Sequence, residues 1–241
     1  MIKENIMSEA PTSMTIMTNI FTNPQTVFDE IKVKYPVLLP FFTVFILQAA
    51  LVILMYMSLD YKWFIDELIE RASTADTSQE DIENMRKGLE MMSATTTGLI
   101  GAVFASIFIA VMYAVMSLYL VIVSAITNDG IKFKQWFSLI SWCSMPSIIG
   151  ILAGLVVVLS SSNGQILPES VNPLSLNELF FDMDPAKGLG AMMAGTSITT
   201  LWTFALMVMG YSKWTGKSTA VSAGIIAILY AFSYTIWFAM V

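Results

Sequence analysis

Two long apolar runs, residues 99–126 and 137–159, flank a short polar joint at 127–136 and set the pattern of the whole chain. About 20 apolar residues rising ~1.5 Å each cover a ~30 Å hydrocarbon core, so each run predicts a membrane-crossing helix. The joint holds the turn signal Asn128-Asp129-Gly130, then Lys132, Lys134 and Trp136, residue types suited to a membrane interface. This is the pattern of a transmembrane helical hairpin. Stretches without Asp, Glu, Lys or Arg also cover 35–59, 188–212 and 218–241. The expected spans are therefore about 37–58, 99–126, 137–159, 191–211 and 220–241. The fold class they imply is all-α: a polytopic membrane protein, a bundle of five transmembrane helices with an N-terminal amphipathic helix.

Residues 1–22 read as a polar N-terminal tail without the apolar core and small-residue cleavage site of a signal peptide. Residues 23–241 read as one five-span membrane domain. Asn23-Pro24 is a helix-start pair, since Asn caps and Pro suits the first helical position. Val27, Phe28, Ile31 and Tyr35 then form an apolar stripe, with Asp29, Glu30, Lys32 and Lys34 opposite, and Pro36 ends the helix. Two readings of this amphipathic helix stand side by side: it lies on the membrane surface, or it packs on the bundle. Between spans, residues 60–90 are acidic and helical in pattern, with a capping box at Thr77-x-x-Glu80. Residues 160–190 are irregular, with one short helix expected after Ser175-x-x-Glu178.

Composition sharpens the class. The chain is 56% hydrophobic and only 12% charged, against a usual ~25% charged. No soluble domain hides that much apolar surface. The net charge of −6 matters less than its distribution. Lys3, Lys32, Lys34, Lys132, Lys134, Lys213 and Lys217 fall on one side of the expected bundle; Lys62, Arg71, Arg86, Lys87 and Lys187 fall on the other. Most of the first set sit close to span ends, where the positive-inside effect is strongest. The expectation is a multi-pass protein with a cytoplasmic N-terminus and an outside C-terminus.

Candidate chemistry is sparse. The spans hold no Asp, Glu, Lys or Arg, and the chain has no histidine, which leaves proton-coupled transport little to work with. The chain carries no catalytic triad, zinc signature, phosphate loop or paired intramembrane carboxylates, so no catalytic residue, cofactor or metal is expected. The lone Cys143 reads as a small buried hydrophobe. Met pairs such as Met112/Met116 read as packing rather than copper ligands. Basic residues are too few and scattered for nucleic-acid binding. Polar side chains inside apolar runs are the exceptions: Gln48, with Thr196, Thr199 and Thr200, forms a candidate polar lining for a pore or solute path. Pro146 should kink the third span, and Gly150-x-x-x-Gly154 just after it permits close helix contact, within the bundle or in a homodimer.

The order of parts resembles the YIP family, five-span membrane proteins named for interaction with Rab-type GTPases and also widespread in bacteria. The residues carrying the likeness are Asn23-Pro24-x-x-x-Phe28 ahead of the first span and Trp142-Cys-Ser-Met-Pro146 in the third. The chain lacks the Asp-Leu-Tyr-Gly-Pro signature of eukaryotic members and has a shorter arm. Those departures speak against a Rab-type GTPase partner and favour a bacterial-type member in an inner membrane. The resemblance implies a non-enzymatic scaffold or adaptor for membrane organisation or partner binding, with Asn23, Pro24 and Phe28 placing the arm. The partners expected are the lipid bilayer and a second copy or another membrane protein. Two alternatives are a small transporter or pore for a lipid or neutral solute, and an accessory subunit of a membrane complex.

Overall fold

The computed structural model describes residues 13–74 and 76–240. It is an all-α polytopic membrane fold, with eleven helices among the described residues: α1 (Ser13–Thr22), α2 (Pro24–Lys34), α3 (Leu38–Ser58), α4 (Tyr61–Ala72), α5 (Gln79–Glu90), α6 (Ala94–Thr127), α7 (Phe133–Cys143), α8 (Ser147–Ser160), α9 (Gly188–Gly195), α10 (Ile198–Thr215) and α11 (Thr219–Met240). Both α3 and α6 are long and apolar enough to cross a bilayer. Together α7 and α8 make a third such segment, bent by 43°. The bend falls at Pro146, which cannot donate a helical hydrogen bond; Ser144 Oγ donates to Ile140 O (2.8 Å) just before it.

The central pair is α3 against α6, with α8 on the other flank of α3. Gly98 makes the α3–α6 approach possible, because a Cβ there would lie 2.6 Å from Cβ of Tyr56. Outward-facing Val103, Phe104, Ile107 and Phe108 on α6, with Ile149 and Val156 on α8, leave an apolar exterior suited to lipid tails. Local signals set the ends. Ser93 Oγ accepts from Thr96 N at the start of α6, and Asn128 closes it in the left-handed conformation (φ 61°). Gly216 does the same for α10 (φ 71°). The capping box expected at Thr77 is instead a single cap one residue later, where Ser78 Oγ accepts from Asp81 N.

Three expectations are corrected. The tail assigned to residues 1–22 is helical from Ser13, and Ile16 and Ile20 are buried in the core; residues 1–12 lie outside the described part. The segment expected as one span at 191–211 is two helices, α9 and α10, because residues 172–176 pair with the chain at 194–198 and Ser197 starts a new helix. Trp136, expected at an interface, is fully buried, and so is Trp142. α2 folds against α7 and α10 beside them.

Candidate functional site

The irregular parts of the bundle meet at one place. A cavity of about 640 Å³ lies between α3, α6, the α7–α8 bend, the start of α10 and the loop at 168–172. That size is in the range of ligand sites. Gln48 projects into it from α3, Ser144 and Ser147 from the bend, Asn172 from the loop, and Ser197, Thr199, Thr200 and Thr203 from α10. Tyr56 and Tyr113 also line it, apolar side chains such as Val44, Leu51 and Ile151 fill the rest of the wall, and no Asp, Glu, Lys or Arg lines it. The site can offer hydrogen bonds, and it has no charge to offer.

Non-helical backbone at membrane depth is tolerated where it is buried in protein or lines a cavity, since lipid cannot satisfy it. Here the chain satisfies it internally. Asn172 Nδ2 donates to Ala194 O (2.9 Å), Leu176 N to Thr196 O (2.7 Å) and Ile198 N to Leu174 O (3.0 Å). Ser197 caps α10, with its Oγ accepting from Thr200 N and lying 2.6 Å from Thr199 Oγ1. At the bend, Ser147 Oγ donates to Ser144 O (2.7 Å). Gln48 is different. It sits at the middle of α3 and makes no hydrogen bond to any described residue.

The structure distributes the sequence candidates unequally. Gln48, Thr199 and Thr200 line the cavity; Thr196 does not, its hydroxyl donating to Met192 O (2.8 Å) and lying 2.7 Å from Tyr234 OH. Pro146 stands at the bend between two lining serines. Gly150 also lines the cavity, and a Cβ there would be 3.5 Å from Thr199 Oγ1. Gly154 faces the loop: a Cβ there would collide with the Val171 carbonyl. The Gly150/Gly154 pair thus seats the cavity roof inside the chain. Sequence reasoning missed Asn172, Ser197 and Thr203 as lining residues. Ser197 had a signal, as a cap-type residue inside an apolar run.

The N-terminal arm builds a second, aromatic site on the opposite side of the bundle. Pro24 opens α2, while Asn23 occupies the cap position without a side-chain capping bond. Phe28 is fully buried, its ring 3.1 Å from where a Cβ of Gly210 would stand. Trp214 Nε1 donates to Phe28 O (2.7 Å) and Lys32 Nζ to Trp214 O (2.7 Å). Trp136 stacks on Tyr211 and abuts Trp214, with ring centroids 5.4 Å apart in both pairs. The amphipathic helix is a strap locked onto the bundle. Beside it, Asp129 pairs with Lys217 (2.7 and 2.8 Å). Burial opposes the charge of that carboxylate. Hydrogen bonds from Lys217 and Thr127, with the charges of Lys217 and Lys32, outweigh it and lower its pKa.

Residues 18–240 match the Yip1 domain. The chain belongs to the Yip1 family. This Yip1 domain starts within α1, so buried Ile20 belongs to it, as do the strap, the bent helix and the cavity. No curated protein and no solved structure matches the chain. Among the described residues, no group of three or more His, Cys, Asp or Glu is placed to hold a metal ion.

Proposed function

We propose that this Yip1-family protein is a non-enzymatic five-span membrane protein that binds and moves an uncharged ligand, a lipid or neutral solute, through the cavity beneath the 168–172 loop. The observation that carries the reading is Gln48: an unpaired amide at mid-membrane depth, facing hydroxyls from two interrupted helical segments. Discontinuous helices meeting at a polar pocket are a recurring way to build a substrate site in lipid. The absence of charge in the lining selects against ions, because an unmatched charge there is not compensated. The basic residues near span ends favour an N-terminus in the cytoplasm, and the missing Asp-Leu-Tyr-Gly-Pro signature favours a bacterial inner-membrane setting. The test is flux. Proteoliposomes should take up an uncharged polyol faster than empty vesicles, and Gln48→Leu should return uptake to the empty-vesicle rate. Equal uptake by wild type and Gln48→Leu overturns the reading.

A second reading, scaffold or adaptor, rests on α5. That helix has no buried residue and is held to α4 by Arg86–Asp66 (2.6 Å), so its outer face with Glu80 and Glu83 is offered to a partner or a second copy. Reversing both charges to Lys should release a stoichiometric co-purifying protein.

A further inference from the structure

We infer that the ligand is a water-soluble, uncharged polyhydroxylated solute entering from the side of α4 and α5, and that Tyr113, Phe41 and Phe137 form a gate closing the cavity toward the strap. This rests on the reading of the cavity as a ligand site, and names its substrate class and its gate. Along α3 the lining runs from Val44 to Tyr56, about 18 Å at ~1.5 Å per residue. Tyr56 lies within a turn of the end of α3 that adjoins α4, and Gly101 lies two turns into α6 from the same side. The lining thus reaches the face that carries α4 and α5. On the strap side it stops at Val44, more than a turn short of the start of α3.

The two ends are closed differently. Over the first lies the single turn Pro168–Val171, whose Pro168 is exposed and whose Glu169 is held by Arg71 (2.7 Å). At the other, Tyr113 is the last lining residue of α6 and is buried. Its ring meets Phe41 of α3 (centroids 5.9 Å apart) and Phe137 of α7 (6.1 Å), and those two meet each other at 5.7 Å. Behind this triangle Trp142 Nε1 (2.7 Å) and Ser138 Oγ (3.3 Å) donate to Pro36 O, tying α7 to the entry of α3. One loop turn on a partly exposed ion pair opens at less cost than three packed rings. The polar groups fit a solute with hydroxyls on all sides. Gln48, Ser147, Asn172 and Thr203 come from α3, α8, the loop and α10, so they surround the space instead of gathering at one end. A charged solute would meet no counter-charge in this lining.

The experiment uses the full chain carrying Cys143→Ala and Thr203→Cys, in right-side-out and inside-out membrane vesicles. The probe is an uncharged, membrane-impermeant, sugar-linked thiosulfonate. Exposed Glu83→Cys on α5 and Lys134→Cys on α7, each in its own chain, mark the two faces. The expected result is labelling of Thr203→Cys at least tenfold faster from the Glu83 face. Excess sorbitol should slow it several-fold, sorbitol 6-phosphate should not, and Gln48→Leu should abolish the protection. Phe137→Ala, and independently Phe41→Ala, should admit the probe from the Lys134 face. Equal labelling from both faces without these changes, or no new labelling in either variant, overturns the gate and leaves the ligand reading standing. One-sided labelling that sorbitol does not slow overturns the solute class together with the reading on which it rests. Labelling from neither face overturns the aqueous route.

Discussion

Arg71 on α4 and Glu169 in the loop over the cavity are joined by an ion pair of 2.7 Å, Nη1 to Oε1, while Arg71 Nε holds Glu67 at 2.8 Å. Glu169 belongs to the same short turn as Pro168 and Val171, both cavity walls. The far-side helical hairpin is thereby tied to the roof. Gly164 makes a second tie: its carbonyl accepts from Asp60 N (2.8 Å), and with φ +68° and backbone of residues 58–60 against it, no side chain fits there.

Breaking the first tie should act on access more than on stability. Partly exposed ion pairs contribute only ~0–1 kcal/mol, so Arg71→Gln should leave Tm nearly unchanged. Release of a bound ligand should become faster, and high salt should produce the same acceleration in the wild type but not in the variant. Stopped-flow release measurements decide this; an unchanged release rate removes the roof from the mechanism.

The glycine pair in α8 gives a contrast within one turn. Gly154→Leu has to displace the Val171 backbone, which predicts a loss of about 1–3 kcal/mol of the kind seen for overpacking. Gly150→Ala, whose Cβ meets Thr199 Oγ1 at ordinary contact distance, should be close to neutral. Thermal unfolding in nanodiscs measures both. An unaltered profile for Gly154→Leu contradicts the packing described.

Phe28 tests the strap. Truncating a fully buried phenylalanine typically costs ~3–5 kcal/mol, so Phe28→Ala should free α2 from α7 and α10. Protease cleavage between α2 and α3 should then be many-fold faster. Trp214→Phe removes the indole N–H that donates to the Phe28 carbonyl and part of the ring packed on Trp136, and should cost ~1–3 kcal/mol.

Asp129 gives the chain an acid limit. Its pKa in the folded protein lies below the ordinary 3.8, the net effect of Lys217 and Thr127 overcoming burial. A depressed carboxylate contributes its full stability above the unfolded value and loses it as pH falls through the folded value. The pair should therefore hold at neutral pH and fail only below about pH 4. Asp129→Asn should lower Tm at pH 7 and flatten this part of the acid-side decline; an identical decline in the variant rules the pair out as its source.

Much of the bundle was legible because charge-free runs in a low-charge chain leave few alternatives, and α3 and α6 end within a few residues of the expected bounds. The break between α9 and α10 was not legible. Thr and Ser at 196–200 are tolerated inside a continuous apolar helix, and only pairing with residues 172–176, some twenty positions earlier, reveals that the helix stops there. The i, i+4 pair Ile16 and Ile20 was visible but lay in a stretch read as polar. Trp136 misled for a related reason: its position near a span end suggests an interface, whereas the folded strap encloses it and Trp142 completely. Of the candidate lining, Gln48, Thr199 and Thr200 stood out as polar residues in apolar surroundings. Asn172 reaches the cavity by long-range packing that no local pattern carries.

The most direct test of the central claim is native mass spectrometry of the chain extracted from its membrane in polymer nanodiscs without detergent. The account predicts one uncharged molecule retained per chain in the wild type and lost in Gln48→Leu, with the variant still folded. A wild-type chain that retains no such molecule, or a Gln48→Leu chain that retains it equally, contradicts the account.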